Sequence, residues 1–416
     1  MTAPTTPVAA AAFREVGIGT AEQVHSAELD CVQANLAVLA DHHHGPATHL
    51  RMGAETVFRP RSSGTGGLPT VEPTLDAHLA TAARVLGLAV HAYTVGADAA
   101  EILEQAERTG ETVYVVADAF HLPWVPYHRR QHMSHSFLLS FDGTSVLVTD
   151  AYRNVTPWGE AQPGQWRMTP AEFAATLPDA AVAVLLRPVA LPAAPAPSAT
   201  HGGPAEVGLY MSRYASHPDR VEALRRLCLE TWLLARTRKL AVRYRAAAGL
   251  PERPGTREWL RSWDALCEQV FLACRRVERG RAEPVGALDR LAGLLAAEPG
   301  HVAGPAGGRE EHTEHEEGRR EHDEAGDGVG TALYDLVART AATLLGTDVR
   351  TLSDSTSLDT LPGFTSFLAV ELVERLETDL GIEFDAADLV PEVICRLDGL
   401  VAAVRRSGPA TRKDPA

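Results

Sequence analysis

The stretch "HMSHSFLLSFDGTSVLVTD", residues 132–150, holds two runs of apolar and β-branched residues joined at Asp142-Gly143. That dipeptide suits a tight turn, because glycine accepts the positive φ a turn demands, so the two runs read as a β-hairpin. Comparable runs flank it in "ETVYVVADAF" (111–120) and "AAVAVLLRPV" (180–189). Upstream, "DCVQANLAVLAD" (30–41) has a capping Asp30, Cys31 in the first turn and an apolar face of helical period. Residues 22–190 therefore read as an α+β domain, with a helix that starts at Cys31 and an antiparallel sheet behind it.

Chemistry is expected at this junction. A helix N-terminus presents unpaired N–H groups and a partial positive charge, which favour a thiolate. A nucleophilic cysteine also needs a base and a group to orient that base. His135 begins one strand of the hairpin and Asp150 ends the other, so antiparallel pairing brings them side by side. A cysteine on an amphipathic helix is also a common core residue, and many other histidines, His25, His128 and His132 among them, lie in this segment. Spacing alone leaves both readings open. The run His42-His43-His44 does not share a helix face and reads as a polar helix end, where charged imidazoles suit the dipole, so no metal site is expected.

Proline and glycine divide the rest of the chain. A Pro- and Ala-rich stretch at 187–206 separates the first domain from an all-α helical middle domain at 205–298. Two long amphipathic helices are expected there, with Gly249 and Gly280 as stops. Residues 299–329 form an acidic linker: between Arg309 and Asp327 nine acids face three arginines, too polar a run to bury a core. The last segment, 330–407, reads as a four-helix domain. Its second helix starts near Ser366, turns Val370, Leu372, Val373, Leu376 and Leu380 inward with Phe367, and exposes Glu371, Glu374, Glu377 and Asp379.

The net charge of −15 argues against a nucleic-acid partner. No apolar stretch approaches the roughly 18 residues of a membrane span, and the first residues lack a signal-peptide pattern, so a cytoplasmic protein is expected. The five cysteines form no CxxC pair, which indicates neither a disulfide framework nor a zinc knuckle.

Two resemblances add to this reading. The order of Cys31 at a helix start followed by "DAFHLPWVPYHRRQHMSHSFLLSFDGTSVLVTDAY" (118–152) resembles the N-terminal domain of the butirosin biosynthesis protein H family, papain-like acyltransferases. The resemblance implies Cys31 as nucleophile, His135 as base and Asp150 as orienting acid. His25 stands six residues before Cys31, where related cysteine peptidases place an oxyanion-hole glutamine. The second is "GFTSFLAVELVERLETDLGIEF" (363–384), which resembles an acyl or peptidyl carrier protein, with Thr365 and Phe367 in place of the usual aspartate and leucine. It implies 4′-phosphopantetheine on Ser366, attached by a phosphopantetheinyl transferase. Together they imply acyl or aminoacyl transfer from a carrier thioester to an amine or hydroxyl, in concert with polyketide or nonribosomal peptide synthases of antibiotic biosynthesis. A non-catalytic carrier-bearing scaffold, and a thioesterase or cysteine hydrolase, are the alternatives.

Overall fold

The computed structural model describes residues 17–62, 67–302, 328–355, 357–361, 364, 366–385 and 388–409. They fall into two compact units. The first comprises the described residues within Met1–Thr56, Glu72–Ser198 and Arg236–Leu250, the second those within Val57–Val71, Ala199–Ala235 and Pro251–Ala416.

In the first unit, helix α1 (Cys31–His44) packs on a sheet of six strands. In chain order these are β1 (Leu88–Ala97), β2 (Val113–Asp118), β3 (Ser134–Phe141), β4 (Val146–Asp150), β5 (Gly164–Met168) and β6 (Ala181–Pro188). Their spatial order is β5-β4-β3-β2-β6-β1, antiparallel throughout. Alternation along the strands sends Tyr114, Leu138, Val184 and Leu186 into the core beneath α1, with Leu36, Val38 and Leu39 of the helix. The opposite set, Val113, Val115, Phe137 and Leu139, is buried too. Burial on both faces explains why these strands read as nearly continuous apolar runs. Each such side chain contributes about 1.5–3 kcal/mol.

The hairpin turn forms at Asp142-Gly143. Gly143 has φ +88, and Asp142 Oδ1 accepts from the backbone N–H of Thr144 and Ser145 at 2.9 and 2.6 Å. Asp30 caps α1 by a reciprocal pair, Gln33 N–H on Asp30 Oδ1 at 2.7 Å and Asp30 N–H on Gln33 Oε1 at 3.2 Å. The helix ends in the three histidines, as its sequence suggested, but charge is not their contribution throughout. Burial and the neighbouring His42 and His44 lower the His43 pKa to about 4, so that ring is neutral at physiological pH.

Helices dominate the second unit. Helix α2 (Arg220–Ala247) and helix α3 (Thr256–Glu278) span the two amphipathic runs, and Gly249 and Gly280 follow at φ +72 and +71. The compact units do not follow the expected segment limits, because Arg236–Leu250, the latter half of α2 and the turn after it, belongs to the first unit. There Gly53 meets the helix so closely that a Cβ would stand 2.5 Å from the Leu240 carbonyl oxygen. Helix α4 (Ala287–Val302) extends into the expected linker as far as Val302, and helix α5 begins at Gly328; the acidic run between lies outside the described residues.

Helix α5 (Gly328–Leu345), helix α6 (Ser366–Leu380) and helix α7 (Leu397–Arg406) enclose the C-terminal core of Val337, Ala341, Val370, Val373, Leu376 and Leu400. A short helix, Pro391–Ile394, precedes α7, and the two are separated where Arg396 takes an extended conformation. Gly399 lets them meet, since a Cβ there would lie 2.4 Å from the Val393 carbonyl oxygen. The acidic face of α6 needs a correction. Glu371 and Asp379 are exposed, but Glu377 is only 3% exposed, because Arg276 of α3 and Arg281 just beyond that helix cover it. Periodicity counts a glutamate as polar and cannot see a countercharge distant in sequence. Thr365 and Gly363, and the side chain of Phe367, lie outside the described residues.

Among the described residues no helix is long and apolar enough to cross a membrane.

Candidate functional site

The hairpin brings His135 and Asp150 together. His135 Nε2 lies 2.7 Å from Asp150 Oδ2, with both side chains essentially removed from solvent. The other carboxylate oxygen accepts from Asn35 Nδ2 at 3.2 Å and from the Tyr152 N–H at 2.9 Å. Both oxygens are thereby fixed. The Tyr152 ring stands edge-on to the imidazole, centroids 5.2 Å apart, and holds its plane.

Cys31, at the first position of α1, is partly exposed, and its Sγ rests 3.7 Å from the Ser134 carbonyl oxygen. Burial by itself would lower the His135 pKa, but the charge of Asp150, its hydrogen bond and the neighbouring Cys31 thiol together raise it to about 10. His135 Nδ1 is buried without a hydrogen bond of ordinary geometry. The imidazole is therefore held through one nitrogen by Asp150 and left with the other free for Cys31, the arrangement a cysteine nucleophile requires. Apo geometry at such a pair is commonly loose and tightens with substrate.

The sign of the pH effect follows. A histidine raised from 6.5 to about 10 stabilises the fold fully below pH 6.5, and that contribution is lost as pH rises through about 10.

Several supporting residues escaped the sequence reading. Asn35, one turn after Cys31 and fully buried, donates to the Ser136 carbonyl at 2.8 Å, to the Cys31 carbonyl at 3.3 Å and to Asp150, and accepts from the Ala151 N–H at 3.1 Å. It ties the helix that Cys31 opens to both strands of the hairpin. Ser136 Oγ adds a donation to the Cys31 carbonyl at 2.7 Å. Arg236 of α2 binds the carbonyls of Ser26 and Leu29, ahead of Cys31, and that of Arg153, beyond Asp150. One signal was present: Asn35 is a polar residue on the apolar face of its helix. Replacing Asn35 by alanine strands buried groups on three elements, at about 1–3 kcal/mol for each unsatisfied group. Asn35→Ala is expected to lower the melting temperature by several degrees, and a thermal scan against wild type checks it.

His25 belongs to a separate chain of contacts. Its Nδ1 lies 2.9 Å from His49 Nε2, and His49 Nδ1 lies 2.7 Å from Asp41 Oδ2. The His25 backbone N–H also donates to His49 Nε2, which makes that nitrogen an acceptor and places the His49 proton on Nδ1. His25 must then donate from Nδ1, leaving Nε2 without a proton. Burial, Arg243 and His49 lower its pKa. In this state His25 offers an acceptor rather than a donor, which does not suit the oxyanion position that its spacing suggested.

His128 is half-buried within the turn ahead of β3, and His132 pairs with Asp118 at 2.6 Å. Ligand atoms of Asp118, His121 and Asp179 lie within 4.8 Å of one another. They are engaged as two histidine–carboxylate pairs, His132 with Asp118 and His121 with Asp179 at 3.2 Å. Beside Ser134 opens a groove of about 530 Å³ lined by Val95, Val116, Asp118, His132 and Val182. Its apolar side chains share the sheet face on which α1 lies.

Ser366 opens α6, a helix of 15 residues. Residues 335–392 match the family of the phosphopantetheine attachment site. No curated protein matches the chain. The C-terminal region is thus a phosphopantetheine-attachment domain, the group it carries is 4′-phosphopantetheine, and its role is that of a carrier in acyl-thioester biosynthesis. Thioester substrates and a phosphopantetheinyl transferase are implied with it. A serine as the first residue of a helix fits this group, since the unpaired N–H groups of a first turn favour a phosphodiester.

Proposed function

We propose that this protein is a carrier-dependent acyltransferase, in which Cys31, His135 and Asp150 transfer an acyl or aminoacyl group from a thioester to an amine or hydroxyl. The observation that carries this reading is the buried His135–Asp150 pair, with its free imidazole nitrogen on the side of Cys31. A buried ion pair is costly unless compensated, and here Asn35 and the Tyr152 amide satisfy the carboxylate's remaining capacity. Perturbed titratable groups of this kind cluster at functional sites.

Ser366 would hold the prosthetic group, which when bound supplies a thiol that carries the acyl group as a thioester. The chain's own residues account for the rest. The Cys31 sulfur attacks the carbonyl carbon of the thioester, a new carbon–sulfur bond forms and the old one breaks. His135, protonated at neutral pH, gives its proton to the departing thiolate. The neutral imidazole then takes a proton from the incoming amine or hydroxyl as that nucleophile displaces Cys31. Asp150 keeps the ring oriented and stabilises its charged form. The apolar groove beside Ser134 gives the acyl chain a place to lie while it is bonded to Cys31. The acidic stretch between α4 and α5 would tether the carrier domain at high effective concentration.

Asp150→Asn tests the electrostatic part. It removes the charge that holds the His135 pKa up while burial still pulls it down, so the imidazole deprotonates at lower pH. The alkaline limit of transfer should move to lower pH, with a smaller loss at its optimum than Cys31→Ala shows. A pH–rate profile on a synthetic acyl thioester measures it, and an unshifted limb counts against the pair as the charge-holding unit.

A further inference from the structure

The acidic helix of the carrier domain is already bound to something. Glu377 of α6 is buried, and Arg276 of α3, itself 4% exposed, donates to its Oε1 at 2.8 Å. Arg276 also reaches Glu383 Oε1 at 3.2 Å and the Phe384 carbonyl at 3.3 Å. Arg281 takes the other oxygen of Glu377. One turn earlier on α6, Glu374 receives Arg279 through both oxygens, at 2.6 and 2.8 Å, with Arg275 at 3.7 Å. Leu272, one turn before Arg276, is 1% exposed within the carrier's own apolar core, with Phe271 packed against it.

This is a fitted surface rather than scattered surface pairing. Four arginines lie between 275 and 281, and each meets a glutamate of the carrier domain. A bidentate arginine and a buried one set orientation as well as attraction. A solvated acidic helix would need no partner of this geometry. Glu374 and Glu377, so engaged, are closed to any other basic surface.

We propose that the arginines at the C-terminal end of α3 and just beyond it form a built-in carrier-binding site, which seats the phosphopantetheine-attachment domain by Glu374 and Glu377 and competes with other basic partners of that helix. The ligand class is an acidic carrier helix, here supplied in cis. Any enzyme that approaches α6 through Glu374 or Glu377, the phosphopantetheinyl transferase included, must displace these arginines, so occupancy of the seat governs access to that part of the carrier helix. This rests on the carrier assignment and not on the chemistry at Cys31.

Cys395 reports on the seat. It is 5% exposed, and its Sγ lies 3.9 Å from Glu268 Oε2 of α3. In the full-length protein, the rate of alkylation at Cys395, located by peptide mass, should rise as salt is added, because screening weakens the pairs. The double variant Arg275→Glu/Arg279→Glu changes only partly exposed arginines and should speed alkylation about tenfold at low salt. Adding Glu374→Arg to that variant should restore slow alkylation, which separates release of the carrier from loss of folding. A wild-type rate indifferent to salt overturns the proposal. So does a double variant that alkylates at the wild-type rate, or one that the third change fails to slow. None of these readouts depends on modification of Ser366 or on transfer, so failure here leaves the proposed activity standing, and the reverse.

Discussion

Exchange of Cys31 for alanine should abolish the proposed acyl transfer and leave the carrier domain open to phosphopantetheinylation. The expected loss is at least about a thousandfold, because members of a nucleophile–base unit act together and no second group replaces the missing bond. His135→Ala should be nearly as severe, since without it the departing thiolate has no proton donor and the incoming nucleophile no base. The described residues of the carrier's core include none from α1, so its folding does not depend on the sulfur. Single-turnover transfer from a synthetic acyl thioester, with intact mass to follow the acyl group, gives the answer. An acyl adduct on wild type that is absent from Cys31→Ala supports a covalent path through this residue. Undiminished product from Cys31→Ala turns the reading to a scaffold whose carrier is served by other enzymes. Water as the acceptor in wild type would make the protein a hydrolase.

What the sequence made legible divides along the range of the contacts involved. The hairpin at 134–150, the helix that starts at Cys31 behind its capping Asp30, and the glycine stops at 249 and 280 are local, each carried by a turn residue or a period within a short window. The His135–Asp150 contact was legible for the same reason, as the two residues are 15 apart and joined by a recognisable turn. The buried network around them was not. Asn35 reaches Asp150 across 115 positions, and Arg236 reaches Leu29 across 207, and neither distance leaves a local trace. The division between the units had the same cause. The amphipathic pattern of α2 shows a helix with an apolar face but not that its latter half, with Leu240 and Tyr244, completes the core under α1. Glu377 is the sharpest case, a glutamate that reads as solvated and is buried by arginines about a hundred residues earlier.

Ser366 should be the residue that carries the arm. The matched span 335–392 holds four serines, and three of them already donate their hydroxyls to backbone carbonyls. Ser353 donates to Val349 at 3.0 Å, Ser355 to Ser357 at 2.6 Å and Ser357 to Cys395 at 3.1 Å. These bonds hold the hydroxyls within the turns that shape the domain, so attachment at any of them would break structure first. Ser366 alone opens a long helix, where first-turn N–H groups stabilise a phosphodiester. Incubation with coenzyme A and a broad-specificity phosphopantetheinyl transferase should add one phosphopantetheine mass, on a peptide containing Ser366. Ser366→Ala should lose the adduct completely while Cys31 remains open to alkylation, because the two sites are chemically independent. An adduct retained in Ser366→Ala would move the arm to Ser357 or Ser355 and require the loop before α6 to open. A wild-type protein left unmodified beside a modified control carrier would mean that Thr365 and Phe367 have changed which transferase reads this helix. The same assay on Arg275→Glu/Arg279→Glu separates that outcome from a carrier held shut, since freeing Glu374 would restore modification in the second case and not in the first.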